Sequence, residues 1–134
     1  MAKTEPSLDA WLKEAKSDPV SAQCGMFLTH NGVVRITPKA QVREGTAGLP
    51  QVAGIEFSYD AAGLAQAERE ALAMDGIYYV RTWLNEGVLS VGDSLMYVLI
   101  GGDIRPRCID ALQKLVGTIK NELVVEKEVY AEER

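Results

Sequence analysis

The run Leu95-Met96-Tyr97-Val98-Leu99-Ile100 constrains this chain more than any other feature. Strict alternation of apolar and polar residues makes a strand with one wet face. A run without alternation belongs to a strand covered on both faces. Gly92-Asp93 marks a turn just before it. The segment is therefore expected at the centre of its sheet, with other elements packed above and below.

The segments on either side of that strand complete a domain around it. Asp103 and Pro106 mark a helix start, and Ile109, Leu112, Val116, Ile119 and Leu123 give the helix one apolar face. A last strand is expected from about Val124 to Val129. Near the start of the chain, Ser7 can cap a short helix carrying Leu8, Trp11, Leu12 and Ala15, which the Ser17-Asp18-Pro19 cluster should end. The apolar run from Cys24 to Thr29, the His30-Asn31-Gly32 triplet and Val33 to Thr37 read as a hairpin, because Asn-Gly between two β-prone runs is a strong turn signal. Ile55, Phe57 and Tyr59 alternate with polar residues as in a half-buried strand. Asp60 to Met74 is rich in Ala, Leu, Glu and Gln and reads as a helix ended at Asp75-Gly76. Ile77 to Leu84 is a β-branched and aromatic strand, followed by a turn at Glu86-Gly87. Residues 38–51 carry prolines, glycines and charges without periodicity and are expected to form an exposed, mobile loop, a class of loop that is often functional. The order predicts an α+β fold with a mixed or antiparallel sheet, one domain over 1–134, with 1–20 as an N-terminal helix and linker.

Composition narrows the function classes. The 134 residues suffice for a single core, and 47% hydrophobic with 25% charged residues is ordinary for a globular protein. A net charge of −5 opposes approach to a phosphate backbone, so no nucleic-acid partner is expected, although a local cationic pocket stays compatible with it. No apolar stretch is long enough for a bilayer, and Met1 to Leu12 lacks the basic-then-apolar layout of a secretory signal. No membrane partner is expected, and the cytoplasm is the expected compartment. Cys24 and Cys108 stand far apart and His30 is the sole histidine, so a zinc site and a Ser/His triad both lack parts. No metal and no cofactor is expected.

The glycines form neither a dinucleotide nor a P-loop fingerprint, and the acidic pairs Glu68/Glu70 and Glu132/Glu133 read as solvated surface. The cations are more specific. Lys120 follows Ile119 at the edge of the last helix's apolar face. Lys127 alternates with Val125 and Val129, which puts it on the same side as two apolar residues. Such a lysine snorkels to water, serves an anion, or has a lowered pKa. Arg35 follows a Val-Val strand segment, and Arg105 and Arg107 flank Pro106 at a helix N-terminus, where amides and dipole favour an anion. A surface ion pair is the alternative for each arginine.

In order and spacing these residues resemble one family. Gly32-Val33-Val34-Arg35 is similar to its G-x-V-R, and Gly87-Val88-Leu89-Ser90-Val91-Gly92-Asp93 to its G-x-L-x-x-G-D. Leu95 to Ile100 resembles the strand leading to its His-Arg pair and long helix. Ile119-Lys120 and Lys127 resemble its L-K and, seven residues on, the first lysine of P-I-W-K-K-E. By this resemblance, spanning about Gly25 to Val129, the chain is identified as a divergent member of the molybdopterin synthase catalytic (large) subunit family. The resemblance implies an α/β hammerhead fold, a homodimer, and a ubiquitin-like small subunit whose Gly-Gly C-terminus carries a thiocarboxylate. It also implies transfer of sulfur to cyclic pyranopterin monophosphate in molybdenum cofactor biosynthesis. Lys120 and Lys127 would be the catalytic residues, stabilising negative charge or moving protons. Arg35 and Arg105, with Val34 and Ile104 beside them, would bind the substrate.

The sequence also departs from the family. Ile104-Arg105 stands where the family has His-Arg, Leu84-Asn85 replaces an earlier His-Arg, and Val124-Val125-Glu126 replaces Pro-Ile-Trp. Strand alternation should aim Glu126 away from the face of Lys127. These changes support a second expectation: a catalytically degenerate paralogue that keeps the fold and binds, as a dimer, a ubiquitin-like partner or a small anion.

Overall fold

The computed structural model describes residues 3–39, 42, 45 and 50–131. The chain begins with helix α1 (Leu8–Ser17), where the Ser7 hydroxyl accepts the Ala10 N–H at 3.2 Å. The Asp18 carboxylate then caps a 3-10 turn over Pro19–Gln23. Strands β1 (Met26–Val33) and β2 (Val52–Tyr59) precede helix α2 (Ala61–Leu72), strands β3 (Ile77–Leu84), β4 (Gly87–Ser90) and β5 (Ser94–Gly102), helix α3 (Arg105–Thr118) and β6 (Val124–Tyr130). A π-helical turn, Ile119–Leu123, joins α3 to β6.

The strands form two three-stranded sheets, ordered β1-β5-β3 and β4-β2-β6, antiparallel throughout. As the apolar run requires, β5 is the centre of the first sheet and is buried at every position. Its Tyr97 and Leu99 face α1, packing with Trp11 and Ala15 and with Phe27, Tyr79 and Trp83 of the neighbouring strands. Its Met96, Val98 and Ile100 face the opposite way into the main core, with Cys108, Ala111 and Leu115 of α3 and Ile55, Phe57 and Leu89 of the second sheet. Each fully buried aliphatic side chain here contributes about 1.5–3 kcal/mol. The layers are thus α1, the first sheet, and then α2, α3 and the second sheet together.

Two local expectations are corrected. Asn31-Gly32 is not a hairpin turn. The chain runs through it as part of β1, in register with β5 from Met26↔Gly102 to Gly32↔Met96. The central strand offers backbone partners along this whole length, and that tertiary pairing outweighs the local turn preference. Asn31 spends its side-chain amide on the sheet, donating to the Met96 carbonyl at 3.1 Å. Register slips only after Gly32, and Val34 leaves the ladder to bond Asp93 and Gly92. Those bonds meet the turn at Gly92, whose φ of +92° suits a residue without Cβ.

The apolar face of α3 is also displaced from the expected one. Its buried stripe is Cys108, Ala111, Leu115 and Ile119, while Ile109 is exposed and Leu112, Val116 and Leu123 flank the stripe. The helix start lies so close to β5 that a Cβ at Gly102 would sit 2.6 Å from the Cys108 sulfur. The small Cys108 and Ala111 fit where the helix start lies against β5, and Leu115 and Ile119 continue the stripe farther along.

Strands β2, β3 and β6, helix α2 and the ending of α1 agree with the sequence reading, whereas β4 forms where the sequence suggested only the turn at Glu86-Gly87. Cys24 and Cys108 are free thiols. Most of the expected 38–51 loop lies outside the described residues. Lys3 ties the sheets together: its ammonium donates to the Tyr59 hydroxyl at 2.8 Å and to the Leu84 carbonyl at 2.7 Å. No helix among the described residues is long and apolar enough to cross a membrane.

Candidate functional site

A cleft opens where the end of β1, the segment after it, the π-helical turn and β6 meet. Its ionisable side chains are His30, Arg35, Lys39, Lys120, Glu126 and Glu128, set against an apolar wall that includes Ile55 and Leu95. The β2–β6 ladder decides which residues of β6 reach it. Residues directly opposite in an antiparallel pair share a face. Phe57 opposes Glu126 and Ile55 opposes Glu128, and both apolar partners are buried, so both glutamates face inward.

The two carboxylates hold the segment that leaves β1. Glu126, only 7% exposed, pairs with the Lys39 ammonium at 2.8 Å. Glu128 accepts the Lys39 backbone N–H at 2.9 Å and the Tyr130 hydroxyl at 2.8 Å. The hydrogen bond to Glu128 pushes the Tyr130 phenol pKa up. Arg35 is exposed at the cleft mouth, its Nε donating to the Thr37 carbonyl at 3.0 Å. Lys120 is half-buried on the π-helical turn. His30 is half-buried on β1, and its pKa is lowered first by burial and then by the charge of Lys120. The imidazole is therefore neutral at pH 7. The cleft combines cations able to hold an oxyanion, a neutral imidazole, and carboxylates, of which Glu126 pairs with Lys39.

Of the residues expected from sequence, Arg35 and Lys120 are brought together here. Lys127 is not. It does share a side with Val125 and Val129, but that side is the outer face of the second sheet, where Val125 is 68% exposed and Lys127 stands opposite Glu56. The parity was legible; the covered face was set by β2, whose Ile55 and Phe57 point the other way. Arg105 is exposed at the start of α3, whereas Lys120 lies just past its end. At 1.5 Å rise per residue this puts about 20 Å between them. Ile104 is exposed beside Arg105, without a capping side chain. Val34 is buried in the core beneath the cleft rather than lining it.

Sequence reasoning missed His30, Lys39, Glu126 and Glu128 as site residues. His30 was assigned to a turn and Lys39 to a loop. The signal for the glutamates was the alternation Glu126-Lys127-Glu128 set against Ile55 and Phe57 on the partner strand.

No protein-family model and no curated protein sequence matches the chain. Solved structures do. Molybdopterin synthase from Staphylococcus aureus superposes with a TM-score of 0.72 at 16% identity, covering 96% of this chain and 89% of that one. Molybdopterin cofactor biosynthesis protein E from Burkholderia multivorans gives a TM-score of 0.70 at 19% identity, over 96% and 84%. A protein–protein complex of subunits 1 and 2 of molybdopterin-converting factor from Helicobacter pylori gives 0.63 at 19%, over 95% and 82%. The chain therefore has the fold of these molybdopterin synthase proteins, an α+β fold, as the motif resemblance implied.

Proposed function

We propose that the chain works as a large subunit of molybdopterin synthase, transferring sulfur from a small-subunit thiocarboxylate to cyclic pyranopterin monophosphate. The observation that carries this reading is the convergence of Arg35 and Lys120 in one cleft. They come from widely separated segments of a chain that folds like the synthase structures. A guanidinium at the mouth suits a phosphate, which it can bind through two parallel hydrogen bonds. An ammonium deeper in the cleft suits the oxyanion that forms when a thiocarboxylate carbonyl is attacked. The Helicobacter pylori complex supports a small-subunit partner. A cytoplasmic location accompanies this reading, as does the homodimer. Arg105 and Ile104 enter it only through a second copy whose α3 start reaches the cleft, because α3 separates them from Lys120 within one chain. The test is reconstitution with a thiocarboxylated small subunit and the pterin substrate. Dithiolene product that is lost in Arg35→Ala supports the reading; absence of product from the folded wild type rejects it.

One observation favours the alternative of a degenerate, dimeric binding protein for a ubiquitin-like partner or small anion. Two carboxylates point into the cleft and Glu126 occupies Lys39, while Lys127 faces away. A protein that binds the small subunit tightly and makes no product is this second case.

A further inference from the structure

Lys39 is a cation of the cleft that no motif singled out, and its surroundings hold it there in two separate ways. Pro38 before it is fully buried, and the Ile36 carbonyl accepts the Val52 N–H at 2.7 Å, so the segment leaving β1 is fixed against β2. Glu128 then accepts the Lys39 backbone N–H at 2.9 Å, while Glu126 takes the ammonium at 2.8 Å. The backbone anchor holds the segment without the ion pair. What the ion pair adds is the place of the ammonium. Lys39 stays 41% exposed against 7% for Glu126, so its side chain is not sealed into a buried pair. An ammonium that meets one carboxylate keeps further N–H donors for a ligand. Arg35, Thr37 and Lys39 are alternate residues of this one segment, and all three line the cleft. The Arg35 guanidinium is turned along the segment, its Nε donating to the Thr37 carbonyl at 3.0 Å. That bond leaves the two terminal amino groups to grip an oxyanion.

We propose that Lys39 is a direct ligand contact of the cleft. With Arg35 and the Thr37 hydroxyl it binds one tetrahedral oxyanion of the phosphate class, and Glu126 places its ammonium for that contact. The proposal rests on reading the cleft as an anion site and adds to it a second cation for the phosphate, which leaves Lys120 to the reacting carbonyl. An ammonium held in place before the ligand arrives loses less side-chain freedom on binding. The negative charge of Glu126 opposes the same anion, so position is gained against a weaker field.

Sulfate at low salt is the probe, followed through the backbone amides of Arg35, Thr37 and Lys39 by NMR. The deciding variant combines Lys39→Gln with Glu126→Gln. It removes one charge of each sign, so the net charge of the cleft is unchanged and a hydrogen bond between the two amides can replace the ion pair. The expected result is sulfate binding weakened about tenfold, with Lys39→Arg, which keeps the charge, close to wild type. Wild-type affinity in the double variant would mean that Lys39 only neutralises Glu126, and overturns the proposal. Weakened binding by Arg35→Ala in the same assay would then leave the cleft reading standing. The wild type gives an answer even if the double variant does not fold. Its Lys39 Cε protons, assigned by their loss in Lys39→Arg, should shift with sulfate at the same midpoint as the Arg35 amide. Lys39 protons unmoved while Arg35 responds overturn the proposal alone. If sulfate moves none of these signals, the proposal and the anion reading of the cleft fall together.

Discussion

Glu126 stands directly across the β2–β6 ladder from Phe57, and this pairing turns its carboxylate into the cleft and the adjacent Lys127 out of it. An acidic side chain at 7% exposure needs a cation, and Lys39 supplies one at 2.8 Å. Lys39 is itself 41% exposed, which screens the pair. Lys39→Ala should therefore destabilise the fold by roughly 1–3 kcal/mol, mostly by leaving Glu126 buried without its partner. Glu126→Gln should cost less and should bind oxyanions about fivefold more tightly at low salt, the effect of removing one nearby charge. Urea unfolding and sulfate titration check both; equal stability of Lys39→Ala and wild type would show that the pair does not hold the segment.

His30 also links stability to pH. Its folded pKa lies below its unfolded value, so the unfolded chain binds more protons between the two. The corresponding stability is complete above the unfolded value of about 6.5. It is lost as pH falls from there toward the folded pKa. Unfolding free energies measured between about pH 7.5 and 5 should decline more steeply in wild type than in His30→Gln. Parallel curves would mean that the imidazole titrates as a free one.

Lys3 offers a test remote from the cleft. Its ammonium joins the end of β2 at Tyr59 to the end of β3 at Leu84, and its backbone N–H bonds Asn85 at 2.9 Å. Lys3→Met removes the side-chain bonds and should lower stability by about 1–2 kcal/mol without altering anion binding. A variant as stable as wild type would mean that the N-terminal strap does not clamp the sheets.

Local chemistry decided what was legible in the sequence. The β5 run, the Ser7 cap and the Gly92 turn carry their reasons within a few residues of themselves. Asn31-Gly32 misled because a central strand far along the chain supplied partners that a local turn signal cannot see. The face of α3 was displaced because only the folded sheet brings Gly102 against Cys108. Arg35 and Lys120 could be named from motifs, but their meeting, and the inward pair Glu126 and Glu128, depended on which face of the second sheet became covered. That choice belongs to the packing of β2 and not to β6 itself.

Chemistry confined to the cleft of Lys120 leaves no part in the reaction for Lys127 on the outer face of the sheet. Single-turnover sulfur transfer, with thiocarboxylated small subunit and pterin substrate, compares Lys120→Ala and Lys127→Ala directly. Lys120→Ala is expected to lose at least about 10²-fold in rate, while Lys127→Ala stays within a few-fold of wild type. An active Lys120→Ala beside an inactive Lys127→Ala would contradict the cleft as the site and move the reaction to the outer face.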